Sequence, residues 1–208
     1  MTKFFTIILL FISTNLSAQD QLAKDLLNNL STNTKSFKNI KVSFLSTMEN
    51  KTHKINEKQK GTLELQEDKF RLIMTEQTII SDGEIQWIYL ADMNEVQIME
   101  YDSEDDIMSP NKIFTIYERG YKYNYVGTNN EKGKLLQIID LFPEESGPFV
   151  KVTLAIDADK NQLHQITMKD KNGGTYTYLI TKFESNLILL PFNFNTSDFP
   201  GVEVIDLR

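Results

Sequence analysis

Histidine is the side chain most often used for proton transfer near neutral pH, and this sequence contains two, His53 and His164. His53 falls in a polar loop and His164 at the start of a predicted strand, so neither has a second histidine at zinc-ligand spacing. No Gly-x-Ser-x-Gly string marks a serine nucleophile. These patterns indicate solvent-facing or turn-supporting histidines and predict that the protein is not an enzyme.

The string "DADKN" is the best candidate for a metal-binding loop. Asp157, Asp159 and Asn161 match the start of an EF-hand loop, but Gln162 stands at its glycine position and Met168 at its bidentate glutamate. Both replaced positions are essential to calcium binding, one for the sharp turn and one for coordination. The string is better interpreted as a hairpin turn, and we expect no metal and no cofactor.

Two other acidic clusters lack a catalytic arrangement. Glu104, Asp105 and Asp106 lie in a strongly acidic stretch that is typical of a solvated loop. Glu144 and Glu145 are adjacent in a loop flanked by proline and glycine, so they do not face one another across a substrate. We assign neither cluster an acid/base role.

The N-terminus has the three-part layout of a secretory signal peptide. Lys3 precedes an apolar run from Phe4 to Ile12, and small polar residues follow up to Ala18, after which we expect cleavage. The domain organisation is therefore a signal peptide at 1–18 and one domain at 19–208. Loss of Lys3 changes the formal net charge from −7 to −8, which argues against a nucleic-acid partner. The chain has no cysteine, so its stability in an exported setting depends on the core.

Hydrophobic periodicity predicts two helices. In "QDQLAKDLLNNL", Leu22, Leu26, Leu27 and Leu30 recur at helical spacing after Asp20, a candidate N-cap. The second predicted helix begins at Ser109–Pro110, continues through "NKIFTIYERG" and ends at Gly120, which is a fitting C-terminal stop.

The rest of the chain alternates with the period of β-strands. About ten strands are predicted, the last of them in "PFNFNT", with hairpin turns that include Asp82-Gly83 and Asp92–Asn94. A meander of that size must close into a barrel, split into a sandwich or curl around the helices. Two short helices fill a concave face only in part, which would leave an apolar pocket. Periodicity alone fits a packed core and a lipid pocket equally well.

The order of the elements and several local strings resemble the family of periplasmic outer-membrane lipoprotein carriers called LolA. The most specific features are the Ser81-Asp82-Gly83 turn followed by Trp87 and Tyr89, and the Phe192-x-Phe194 string that leads to Pro200-Gly201-Val202. The similarity covers nearly the whole mature chain. It rests on "SFKNIKVSF", "KGTLELQEDKFRLIM", "IISDGEIQWIYLADMNEVQI", "AIDADKNQLHQITMKD" and "PFNFNTSDFPGVEVIDL".

The resemblance implies a mainly β fold with a few helices, in the α+β class. It would be an incomplete antiparallel β-barrel, or half-barrel, with a helical lid over an apolar cavity. The implied function is that of a monomeric periplasmic carrier, which moves lipoproteins from the inner to the outer membrane. The implied partners are lipoprotein acyl chains and an inner-membrane lipoprotein-releasing ABC transporter, with an outer-membrane acceptor as a further candidate.

The resemblance and strand parity together indicate which residues would form the site. Parity puts Ile85, Trp87 and Tyr89 on one face of a strand, but leaves open whether that face lines the cavity. The candidate lid residues are Ile113, Phe114, Ile116 and Tyr117. The candidate cavity-wall residues are Phe44, Leu63, Leu65, Phe70, Leu72, Met74, Trp87, Tyr89, Ile98, Leu154, Ile156, Ile166, Met168 and Tyr178.

One departure from the family pattern concerns the latch of the lid. Family members carry an Arg-Pro pair just before the strand phenylalanine, and the arginine is thought to hold the lid. Here Gln66 and Glu67 occupy the corresponding string "LQEDKF", and Arg71, after Phe70, points to the other face. The departure leaves two alternatives open: a carrier of a free lipid or lipid-like precursor, and an envelope sensor module of the same fold.

Overall fold

In its described residues, the protein is an open, mainly antiparallel sheet with one α-helix packed on it. The computed structural model describes residues 15–101, 110, 114–118 and 120–208, with side chains from residue 21 onward. Helix α1 spans Asn15–Lys35, and 3₁₀ helices span Ile116–Glu118 and Thr196–Asp198. The strands are β1 Ile40–Asn50, β2 Ile55–Gln66, β3 Lys69–Ile73, β4 Gln77–Ser81, β5 Ile85–Leu90, β6 Glu95–Glu100, β7 Tyr121–Glu131, β8 Lys134–Pro143, β9 Phe149–Asp157, β10 Gln162–Asp170, β11 Gly174–Ser185 and β12 Glu203–Asp206.

The described strands form one sheet in the order β12-β6-β5-β4-β3-β2-β1-β11-β10-β9-β8-β7. Strands β1–β6 make a first wing and β7–β11 a second wing, and the antiparallel pairing of β1 with β11 joins them. Strand β12 adds to the far edge of the first wing, parallel to β6. Because β12 and β7 do not pair, the sheet is open, and the predicted half-barrel is confirmed. No helix of the described chain has the length and apolarity needed to cross a membrane.

Local turn chemistry explains the tight meander of the first wing. Gly83 has φ +99°, a left-handed conformation that glycine adopts without steric cost. The Asp82 side chain accepts hydrogen bonds from the backbone N–H groups of Glu84 and Ile85, at 3.0 and 2.8 Å. The predicted Asp82-Gly83 hairpin turn is therefore confirmed, and it joins β4 to β5 in register.

Helix α1 packs on the concave face of the sheet, against β7 and β10. Ala23, Leu27 and Leu30 are buried, at the i, i+4, i+7 spacing of one helix face. Leu22, predicted on that face, is 43% exposed because Ala23 takes the inward position. The helix also begins before the predicted cap at Asp20 and runs through the predicted cleavage bond after Ala18.

Two predicted elements differ in the structure. In the segment predicted as a second α-helix, Phe114 and Thr115 form a turn and Ile116–Glu118 a single 3₁₀ turn, while Ser109 and Ile113 lie outside the described residues. The predicted strand in "PFNFNT" is wrong. Its residues cross the convex face of the sheet, held by side chains instead of ladder bonds, and β12 forms further along.

This crossing segment, residues 186–202, begins at a pair of asparagines. Asn39 accepts a hydrogen bond from the Leu187 N–H and donates one to the Leu187 carbonyl, both at 2.8 Å. The Asn186 side chain accepts from the Lys38 N–H at 2.8 Å. Further along, the rings of Phe194 and Phe199 stack at 4.5 Å. These contacts tie the segment to the outside of the first wing.

A buried charge cluster on the convex face connects the sheet to the crossing segment. Glu64, with a side chain only 8% exposed, pairs with Lys41 and Arg71 at 2.8 Å each. Arg71 also donates to the Pro191 carbonyl and lies 5.3 Å from the centroid of the Phe192 ring. Arg71 therefore compensates the Glu64 carboxylate and holds the crossing segment at the same time.

Replacing Arg71 tests this double role. We expect Arg71→Met to lower the free energy of unfolding by about 3 kcal/mol, because a buried carboxylate loses its main partner. Arg208→Met is the matched control, since Arg208 pairs with Asp206 at the surface, and we expect no measurable change. Urea denaturation followed by tryptophan fluorescence measures both. Equal midpoints for the two variants would contradict the role of Arg71.

Candidate functional site

An apolar cavity of about 220 Å³ lies on the concave face, where the two wings meet. Apart from the Gln77 side chain and the Tyr178 hydroxyl, its lining side chains are apolar. Such a surface binds hydrocarbon and offers few directional contacts. The lining residues are Val42, Phe44, Leu63, Leu72, Met74, Gln77, Pro110, Phe114, Leu163, Ile166, Tyr178 and Ile180.

The pairing register brings the wall of the first wing together. Val42 of β1 lies opposite Leu63 of β2, which lies opposite Leu72 of β3. Residues directly opposite in a sheet share a face, so these three side chains form one row across the concave surface. In the second wing, Tyr178 lies opposite Ile166 and continues the surface.

Phe44 has its place in the wall because of a glycine on the neighbouring strand. A β-bulge between Ser43 and Phe44 shifts the pairing with β11, and Phe44 lies opposite Gly61 of β2. A Cβ atom added to Gly61 would overlap the Phe44 ring. The ring also meets Tyr178 edge-on, with 5.8 Å between centroids. The Phe44 ring therefore occupies the space that any other residue at position 61 would need.

A short segment after the acidic stretch covers the cavity. Pro110 and Phe114 line it directly, and Phe114 is 4% exposed. Tyr117 is also buried, and burial together with the Glu118 carboxylate raises the pKa of its phenol, which therefore stays protonated at neutral pH. We call residues 114–118 the lid segment.

The lid segment is joined to α1 by a polar contact. The Ser31 hydroxyl donates to Glu118 Oε1 at 2.6 Å, and Lys35 Nζ lies 2.7 Å from the same oxygen. The Lys35 side chain is 59% exposed and that of Glu118 29% exposed, so the pair contributes at most about 1 kcal/mol. The contact between the lid segment and α1 is therefore weak.

The structure sorts the sequence-predicted site residues into three groups. Phe44, Leu63, Leu72, Met74, Ile166, Tyr178 and the lid candidate Phe114 line the cavity. The second group shares the hydrophobic core around the cavity without lining it: Leu65, Phe70, Leu154, Ile156, Met168, Ile116 and Tyr117. Ile113 lies outside the described residues.

The third group, Trp87, Tyr89 and Ile98, lies on the convex face and is a correction to the predicted wall. Trp87 is opposite Ile80 and Ile98, and Ile80 is opposite Arg71, which belongs to the convex charge cluster. Tyr89 shares the face of Trp87 and packs against Phe199 of the crossing segment, with 4.5 Å between ring centroids. Tyr89 of β5 thus holds the crossing segment.

Sequence reasoning missed five cavity residues. Val42 and Ile180 could have been found by parity, since each is two residues from a predicted wall residue, Phe44 and Tyr178. Leu163 could not, because a bulge between Leu163 and Gln165 changes the alternation along β10. Gln77 and Pro110 also line the cavity, and neither has the apolar strand pattern that the prediction used.

The polar clusters weighed from sequence lie away from the cavity. Asp157 Oδ1 accepts the backbone N–H groups of Asp159 and Lys160, both at 3.2 Å, so "DADKN" forms the β9–β10 hairpin turn. Glu144 and Glu145 are exposed in the β8–β9 loop, and Glu104–Asp106 lie outside the described residues. Within the described chain, no three acidic or histidine side chains are arranged to hold a metal ion.

An open antiparallel sheet with an apolar cavity under a lid segment defines the class of half-barrel folds. The sequence matches the model of one family of this class, the outer membrane lipoprotein carrier protein LolA family, over residues 35–197. The chain belongs to this family. A comparison with curated proteins found no match.

Solved structures agree with the assignment of the fold. An uncharacterized conserved protein from Thermus thermophilus superposes with a TM-score of 0.54 at 12% identity, covering 89% of this chain and 99% of that one. The Mycobacterium tuberculosis lipoprotein LppX superposes with a TM-score of 0.52 at 11% identity, covering 83% of this chain and 100% of that one. At these identities the similarity is one of fold alone.

The contact between Gly61 and Phe44 gives a test of the cavity wall. We expect Gly61→Ala to displace the Phe44 ring and to lower stability by about 1–3 kcal/mol, as overpacking does. Gly147→Ala is the control, because a Cβ there meets open space. Thermal unfolding measures stability, and binding of an apolar fluorescent probe reports the cavity. Unchanged stability and probe binding in Gly61→Ala would show that the Phe44 ring can move aside without cost and would contradict its tight fit in the wall.

The weak contact between Glu118 and α1 gives a test of the lid. We expect Glu118→Gln to speed uptake of the probe by up to about fivefold, because loss of a contact worth at most about 1 kcal/mol favours the open lid. Stopped-flow fluorescence measures the uptake rate. Glu145→Gln in the exposed β8–β9 loop carries the same charge change and should keep the original rate. Identical uptake rates in both variants would contradict the role of Glu118 in holding the lid segment closed.

Proposed function

We propose that the protein is a periplasmic carrier that binds lipoprotein acyl chains in the apolar cavity and transfers lipoproteins from the inner to the outer membrane. The observation that carries the proposal is an apolar, lid-covered cavity inside a half-barrel of the LolA family. Residues 1–18 would act as the export signal, and residues 19–208 as one monomeric carrier domain. Loading by an inner-membrane ABC transporter and delivery to an outer-membrane acceptor complete the proposal.

The chemistry of the cavity suits acyl chains. Each methylene group removed from water contributes about 0.8 kcal/mol, so a lipoprotein with two or three long chains leaves a membrane only if another apolar surface receives them. The wall residues Val42, Leu63 and Ile166 offer such a surface without directional bonds. Binding without catalysis is all that the transfer requires.

The size of the cavity indicates how loading would occur. At about 220 Å³, it is smaller than the roughly 300–1,000 Å³ of pockets that enclose a drug-sized ligand. Two or three long chains therefore need more room than the closed arrangement provides. Displacement of Phe114, which closes one side of the cavity, would extend it along the concave face.

The latch of this carrier would differ from the family pattern. Glu67, in the string where other members have Arg-Pro, is a turn residue with φ +54°. Arg71 pairs with Glu64 on the convex face and is not available to the lid. The contact of Glu118 with Ser31 and Lys35 supports a latch that uses α1 in place of the arginine.

The identity of the cargo tests the proposal most directly. Mass spectrometry of the protein, purified gently from its native envelope, should detect a triacylated peptide. A preparation that contains only phospholipid or a pigment-like lipid would reject lipoprotein transport in favour of a free-lipid carrier. A preparation that contains a bound protein without acyl chains would favour the sensor module.

A substitution in the lid segment tests the binding site itself. We expect Phe114→Asp to abolish uptake of long-chain lipid, because it places a carboxylate against the apolar wall, while the sheet stays folded. Phe142→Asp is the matched control, since Phe142 is 41% exposed and outside the cavity. Probe displacement measures uptake and circular dichroism the fold. Normal uptake by Phe114→Asp would mean that Phe114 only fills the core.

A further inference from the structure

The sheet opens between β10 and β11 at one end of the apolar cavity. Their ladder extends only from Gln165 opposite Leu179 to Lys169 opposite Thr175, and beyond it β11 continues to pair with β1 alone. A second cavity of about 120 Å³ lies in this opening. It is lined by Lys134, Asp157, Lys160, Gln162, Leu163, His164, Ile180, Thr181, Lys182 and Phe183.

The second cavity adjoins the apolar one, because Leu163 and Ile180 line both. The two side chains therefore form the boundary between a hydrocarbon-lined space and a polar one. A ligand that occupies both spaces must itself be amphiphilic, with an apolar chain and a polar head. The apolar chain of such a ligand would lie in the apolar cavity and its polar head in the second cavity.

His164 is a buried polar group in the second cavity with an unused hydrogen-bonding atom. Its side chain is 10% exposed, and its Nε2 atom has no hydrogen-bond partner among the residues that the structure describes. Glu131 Oε2 lies 3.8 Å away, too far for a hydrogen bond. Burial, aided by nearby Lys134, lowers the pKa of His164, so the ring is neutral at pH 7 and can present an N–H at Nε2. An unsatisfied buried polar atom of this kind indicates a missing partner.

The charges around the second cavity leave two cations available. Lys134 and Lys160 form no ion pair within the described part of the chain, whereas Lys182 pairs with Glu184 at 2.9 Å. Two carboxylates lie in the same region: Asp157, whose Oδ1 accepts the N–H groups of its own turn, and Glu131, whose Oε2 lies 3.8 Å from His164 Nε2. Asn33 of α1 holds that turn through the carbonyls of Lys160 and Asn161, at 3.1 and 2.9 Å. The helix therefore holds the backbone of the turn that carries Lys160.

We infer that the opening between β10 and β11 binds the anionic head group of an amphiphile whose hydrocarbon chain lies in the apolar cavity. Lys134 and Lys160 neutralise the head group, and His164 Nε2 donates a hydrogen bond to one of its oxygens. The inference rests only on the proposed binding of acyl chains in the apolar cavity, which lipoprotein and free-lipid cargo share. It adds a preference for an amphiphile with a phosphate-like or carboxylate head, and because the acyl-bearing end of a lipoprotein has no such head, the preference concerns free-lipid cargo.

Histidine NMR and ligand competition together test the inference. The ligands are monododecyl phosphate, which has a chain and an anionic head, dodecanol, which has the chain alone, and inorganic phosphate, which has the head alone. We expect monododecyl phosphate to displace an apolar probe about tenfold more tightly than dodecanol, as one charge-assisted contact would allow. It should also shift the His164 ring signals and raise the pKa of His164, because a nearby negative charge favours the imidazolium.

The same protein provides a control for the histidine signals and one for the lysine substitutions. The exposed His53 should not respond, and it is the second of the two histidines. The double variant Lys134→Gln/Lys160→Gln should bind both dodecyl ligands equally. Its matched control, Lys51→Gln/Lys58→Gln, changes the net charge by the same amount at exposed positions of the β1–β2 hairpin and should keep the tenfold preference.

The different failures are distinguishable. If neither dodecyl ligand displaces the probe, the carrier function itself is wrong, and the inference with it. If both bind equally and the His164 signals do not move, the head-group site is wrong while the carrier function stands. If inorganic phosphate alone shifts His164 as much as monododecyl phosphate does, the opening is a site for free anions and is not coupled to the cavity, which overturns the inference.

Discussion

Side chains alternate between the two faces of every strand, and in this protein the sheet that carries them curls without closing. Its concave face is apolar along both wings, from Leu63 and Leu72 to Ile139 and Leu154. Helix α1, with Ala23, Leu27 and Leu30 turned inward, covers only part of that face. The cavity, the lid segment and the proposed exchange of lipid all follow from this excess of apolar surface over what α1 can bury.

The convex face contains both charges and aromatic rings in a part of the sheet that α1 does not cover. The crossing segment covers these residues instead. Its backbone satisfies Asn39 and Arg71, and its phenylalanines meet Tyr89 and the Arg71 guanidinium. Phe192 is buried in these contacts, and Tyr89 and Phe199 are partly covered on the outside of the first wing.

Between these two layers, the weak elements are those that a carrier would use. The lid segment is tied to α1 through a partly exposed contact at Glu118, and the β10–β11 ladder stops short of the end of its strands. Both lie at the border of the apolar cavity, since Phe114, Leu163 and Ile180 line it. Strong ladders and a buried charge cluster hold the rest. These two weak contacts thus lie next to the space that a ligand would enter and leave in the proposed function.

Much of the fold follows from the sequence because its signals are local. Asp82-Gly83 dictates a hairpin within four residues, and the short turn between Gln66 and Lys69 sets the β2–β3 register that places Leu63 and Leu72 on one face. The same locality, with the family resemblance, led to the half-barrel and to seven of the residues that line the cavity.

Tertiary structure alone decided which face of β5 is the inner one. Alternation along a strand shows only which residues share a face, and the pairing of Trp87 with Ile80, and of Ile80 with Arg71, places that face on the convex side. It also decided the inward position of Leu163, which depends on a bulge formed with β9. The hydrogen bond from Arg71 to the Pro191 carbonyl, 120 residues further along the chain, was likewise decided by the tertiary structure. Those choices depend on contacts between segments distant in sequence, and no local pattern encodes them.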